Sequence, residues 1–94
     1  PGRSLITIKR HAWGVSMYIV TAVKLFDNHT ITTEVPASAE EARELRREKL
    51  DGFMDLYPEI DFNVIGSRLS EVQTVVSDDD KKPWLIVKIT KIDA

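Results

Sequence analysis

The stretch Met17-Tyr18-Ile19-Val20-Thr21-Ala22-Val23-Lys24-Leu25-Phe26 is apolar on both of its faces. With the two-residue period of a strand, Met17, Ile19, Val23 and Leu25 share one side, and Tyr18, Val20, Ala22 and Phe26 share the other. A strand of this kind asks for cover on both sides. The chain holds one long amphipathic helical pattern, which can shield one of them. The second face must be closed by curvature, by a short second helix, or by another protein.

The strands around this stretch are shorter. Leu5-Ile6-Thr7-Ile8 is rich in β-branched residues and reads as a strand, interrupted by His11 to Gly14. Asp27-Asn28-His29 tolerates tight turns and makes a hairpin connection. Thr30 to Val35 alternates, with Ile31, Thr33 and Val35 on one side and Thr30, Thr32 and Glu34 on the other. That is a half-exposed strand near a sheet edge.

The helix is predicted from Ala39 to Tyr57, about 28 Å at 1.5 Å per residue. Pro36 ends the preceding strand, Ser38 is a good N-cap, and Glu41 three residues on completes the capping-box spacing. Glu40 and Glu41 complement the positive end of the helix dipole. Ala39, Ala42, Leu45, Leu50, Phe53, Met54, Leu56 and Tyr57 fall on one broad half. Arg46 and Lys49 also fall in that half, so their stems are expected to cross it while the charges reach water. Pro58 stops the helix.

Ile60 to Ile65 reads as a strand and Gly66-Ser67 as a turn. Arg68 to Ser77 fits either spacing: Leu69, Val72, Val75 and Val76 are helical, while the β-branched Val72, Thr74, Val75 and Val76 favour a strand. Asp78 to Pro83 is a polar hairpin loop, and Trp84 to Thr90 is a final strand. The expected fold is α+β: a mainly antiparallel sheet of four to five strands in the order β-β-β-α-β-β, with one long helix packed on one face. Residues 1–94 read as a single small domain without internal repeats.

Composition narrows the function classes. Apolar residues make up 43% and charged residues 30%, as in an ordinary globular fold. There is no cysteine, which excludes a disulfide framework, a thiol nucleophile and Cys-based metal sites within this sequence. No apolar run approaches the roughly 20 residues of a membrane helix, and no signal-peptide core is visible. A cytoplasmic protein is the expectation, and Asn28-His29-Thr30 is read as a turn rather than a glycan acceptor. Net charge is −2, but residues 1–33 carry Arg3, Lys9, Arg10 and Lys24 against Asp27 alone. A local basic patch on a weakly acidic body follows.

No motif fixes an activity. Asp78-Asp79-Asp80 lacks the alternate spacing, glycine and distal glutamate of a calcium loop. His11 and His29 have no second ligand at metal spacing. Gly2, Gly14, Gly52 and Gly66 are scattered and form no phosphate loop. Pro1 is followed by Gly2, and several strands precede the helix, so its amine is read as a trimmed terminus and not as a catalytic base. No catalytic, cofactor or metal residue is assigned. An enzyme would need a pocket enclosing His11 or His29 beside Glu59 or Asp61.

Two binding readings remain. The first is a non-enzymatic interaction or regulatory module that pairs with a second copy or another protein through an apolar sheet face, with Tyr18, Val20, Phe26 and Trp84 at or near the contact. The second is a nucleic-acid-binding module in which Arg3, Lys9 and Arg10 neutralise phosphates and Trp13 stacks on a base.

Overall fold

A computed structural model describes residues 16–25 and 31–93. They form β1 (Ser16–Lys24), β2 (Ile31–Glu34), α1 (Ala39–Asp55), β3 (Phe62–Ile65), β4 (Val72–Ser77) and β5 (Pro83–Asp93). The five strands make one antiparallel sheet in the order β2-β1-β5-β4-β3. The fold is therefore α+β, with the helix on one face. The strand expected at Leu5–Ile8 lies outside the described residues. The ambiguous segment divides: residues 68–71 are a turn, and Val72–Ser77 is strand β4.

The doubly apolar stretch forms an inner strand of this sheet, second from one edge. β1 pairs along its whole length with β5, from Ser16 opposite Asp93 to Lys24 opposite Leu85. β2 flanks it on the other side, with Val20 opposite Glu34. From Val20 to Val23 it is paired on both edges, which leaves its two faces to find cover.

The helix begins as its sequence specifies. Ser38 Oγ accepts from the Glu41 amide at 3.1 Å, and Glu41 Oε1 accepts from the Ala37 amide at 3.0 Å. The return bond thus reaches one residue before the N-cap. The helix ends at Asp55, with Leu56 as C-cap, two residues short of the expected end. Ala42, Leu50 and Phe53 are buried against Val20, Ala22, Val75, Leu85 and Val87 of the sheet. Leu45, Met54 and Tyr57 are partly buried against the same core. Leu56 departs from the expected apolar half. It is the C-cap, past the last residue of the helix, and is 68% exposed.

A bulge shapes one end of the core. Val75 lies opposite Leu85 and Val76 opposite Pro83, so Trp84 is the extra residue in β5. Such an insertion lets two successive side chains turn to the same side. Leu85 is in the core, and the Trp84 ring lies 5.3 to 6.4 Å from those of Phe53, Tyr57 and Phe62, all in tilted or edge-on arrangements. Ring pairs of this geometry add about 0.5–1.5 kcal/mol beyond area burial.

Arg46 departs most from expectation. Its guanidinium does not reach water; the residue is 1% exposed. It donates from Nη1 to the carbonyls of Ser70 (2.7 Å) and Glu71 (2.9 Å), and from Nη2 to that of Arg68 (2.8 Å). The helix thereby holds the turn before β4. Lys49 crosses the apolar half as expected and ends 2.6 Å from Glu34 of β2.

Candidate functional site

Strand alternation and the pairing register assign every described strand position to a face. Tyr18, Val20 and Ala22 of β1 stand with Leu85, Val87 and Ile89 of β5 on the helix side. Met17, Ile19, Thr21 and Val23 stand on the other side, opposite Ile92, Thr90, Lys88 and Ile86. β2 adds Ile31 and Thr33 to that side, opposite Val23 and Thr21. β4 adds Val72, Thr74 and Val76, and β3 adds Asn63 and Ile65; of these Val76 is only 3% exposed.

Among the described residues, no element packs on this second face; the one helix lies on the first. Met17, Ile19, Val23 and Ile86 are half-buried. Ile31, Ile65 and Ile92 around them are 62%, 54% and 44% exposed. Lys88 is the one charged side chain among the strand positions named on this face. The result is a continuous aliphatic and threonine surface spanning five strands.

The residues expected at a contact are placed differently. Val20 has no exposed surface, Tyr18 packs against the core, and Trp84 sits in the aromatic cluster. All three belong to the helix-covered side; among the described residues, the side on which no element packs is the opposite one. Sequence parity separated the two faces correctly but held no sign of which the helix would take. Phe26 lies outside the described residues. So do Arg3, Lys9, Arg10 and Trp13 of the nucleic-acid reading, and His11 and His29.

The remaining candidates have local roles. Asp80 Oδ1 accepts from Ser77 Oγ and, at 3.0 Å, from the Lys82 amide. The Ser77 hydroxyl is the main cause holding the Asp80 carboxyl below the usual aspartate range, with the Lys82 amide second. Asp78 lies 3.8 Å from Lys81, whose φ of 57° closes the β4–β5 turn. Among the described residues no three metal-ligating side chains gather. Glu59 and Asp61 are exposed.

Grooves on the helix side are shallow. One of about 240 Å³ runs between α1 and the β1–β2 edge, past Lys24, Thr32, Lys49 and Leu56. Another of about 210 Å³ lies between α1 and the β3–β4 side, lined by Arg43, Arg46, Arg47 and Arg68. Both are smaller than the roughly 300–1,000 Å³ of a drug-sized ligand pocket. No helix among the described residues is long and apolar enough to cross a membrane.

No protein-family model matches this chain, and comparisons with curated proteins and with solved structures likewise return no match.

Proposed function

We propose that this protein is a non-enzymatic interaction module that self-associates through the open face of its sheet. The supporting observation is the aliphatic surface centred on Met17, Ile19, Val23 and Ile86, which no described element covers. A contiguous apolar patch of more than a few hundred Å² is unusual on a monomer and marks an interface.

The size of the face suits a second copy. Strands about 4.8 Å apart, each residue advancing about 3.3 Å, give the five-stranded sheet a face of roughly 600 Å². A standard protein interface takes about 800 Å² from each partner. Two such faces stacked about 10 Å apart would interdigitate as in a β-sandwich. The flanking strands favour the face over the sheet edge as the contact. β2 and β3 have four residues each, and short edge strands resist edge-to-edge pairing.

Sedimentation velocity at tens of micromolar tests the proposal. A dimer that dissociates on Ile86→Glu, with the helical content kept, supports it. A monomer at all accessible concentrations overturns it.

A further inference from the structure

Arg46 is a buried cation without an anion beside it. Its three hydrogen bonds run to neutral backbone carbonyls. Among the described residues no carboxylate lies within ion-pair distance of it. Its Nε–H has no hydrogen-bond partner, and neither has the buried Nε–H of Arg43. Taking a charge out of water is costly unless an opposite charge compensates it.

The surroundings add to the imbalance. Arg43, Arg46, Arg47 and Arg68 line one cleft with Asp51 and Gln73. Glu40 is shared between Arg43 (3.2 Å) and Arg68 (3.1 Å), and Asp51 lies 3.5 Å from Arg47. Two carboxylates thus answer four guanidiniums. Burial first, and then repulsion from Arg43 and Arg68, pushes the Arg46 guanidinium below its usual pKa. Beyond the Arg43–Arg68 pair a second hollow continues to Glu71 and Lys91.

We propose that the cleft between α1 and the β3–β4 side binds a phosphate dianion, free or as a phosphomonoester, which supplies the countercharge missing at Arg46 and is held by the guanidinium groups lining the cleft. Guanidinium groups present planar forks of donors suited to phosphate oxygens. The cleft's volume of about 210 Å³ suits one such group and not a large ligand. Arg46 forms the anchored floor, since its Nη atoms are committed to the 68–71 turn. Arg47 and Arg68, 74% and 60% exposed, form a rim that can close on the anion. The site lies on the helix side and does not depend on the open sheet face.

The test follows arginine Nε–H signals by ¹H–¹⁵N NMR during titration with inorganic phosphate, and separately with phenyl phosphate, against chloride at matched ionic strength. Saturable shifts of the Arg43 and Arg46 signals are expected, together with a raised melting temperature. Arg47→Gln combined with Arg68→Gln should weaken binding at least tenfold. Arg47→Gln alone gives the readout if the double variant does not fold. Tighter binding of the ester points to a phosphorylated ligand, and equal binding points to free phosphate. Shifts no larger than chloride's, or an affinity unchanged by the rim substitutions, overturn the site.

Discussion

Arg46 Nη1 lies 2.7 Å from the carbonyl oxygen of Ser70, although 24 residues separate them in the chain. Two further bonds, to Glu71 and Arg68, make this side chain a clamp between the middle of the helix and the turn that launches β4. A turn carries carbonyls that a ladder does not fully satisfy, and a charged fork can take several at once, here beside the Ile89 amide already bonded to the Glu71 carbonyl. The anchored turn in turn sets Arg68 against Glu40 of the helix.

Arg46→Ala should therefore destabilise the fold by about 3–5 kcal/mol, since it removes three charge-assisted bonds and empties the site of a buried side chain, while the Glu71 carbonyl keeps the Ile89 amide. Urea unfolding monitored by circular dichroism measures this. A loss under about 1 kcal/mol would show that water replaces the guanidinium freely.

Phe53→Ala should cost about 3–5 kcal/mol, because the ring is buried and touches Tyr57, Phe62 and Trp84. Leu45→Ala, at a half-buried position on the same helix, should cost less than half as much. Equal losses at the two sites would contradict the packing described.

Gly66→Ala should be strongly destabilising, by at least about 2 kcal/mol. Gly66 has φ of 108°, where side chains are strained, and an added Cβ would meet the Val72 carbonyl oxygen at 2.5 Å. Gly52→Ala, with open space around the helix position, should be neutral or stabilising. Thermal denaturation of the pair separates backbone constraint from loss of a small residue.

Asp80 should titrate below the usual aspartate range, and Ser77→Ala should bring its midpoint back towards it, because the Ser77 hydroxyl is the main cause of the shift. The folded pKa is the depressed one. Its contribution to the hairpin is then complete above the unfolded aspartate value and is lost as pH falls through the lower folded value. Carboxyl chemical shifts recorded from about pH 6 down to about pH 2 read both midpoints.

Ile31→Glu and Ile86→Glu should each convert the proposed dimer to monomer, with little stability change at the exposed Ile31 and a larger loss at the half-buried Ile86, since both side chains stand on the face that no described element covers. Size-exclusion elution with light scattering gives the mass. Unchanged mass in both variants would place any contact elsewhere.

Particular residues show how far the sequence could be read. Ser38 and Glu41 fixed the helix start, because capping depends on residues three apart and on nothing distant. Val20 and Ile19 could be assigned to opposite faces by parity alone. Their fates differ through the position of the helix, which a local pattern does not encode. Trp84 is expected from the sequence at or near a contact; the bulge opposite Val75 and Val76 sets it in the aromatic cluster with Phe53, Tyr57 and Phe62. Arg46 left one signal: a charge four residues from both Ala42 and Leu50, inside the apolar stripe. Only the 68–71 turn explains it.

Local rules in the sequence settled the α+β class, the single long helix with its cap, and the amphipathic halves of each element, since these depend on neighbours a few residues away. The fold in three dimensions decided which side of β1 packs beneath the helix, which of its apolar residues stand on the other side, and that four arginines share one cleft. Those outcomes depend on contacts between segments 20 or more residues apart, such as Arg46 with Ser70, which spacing along the chain does not specify.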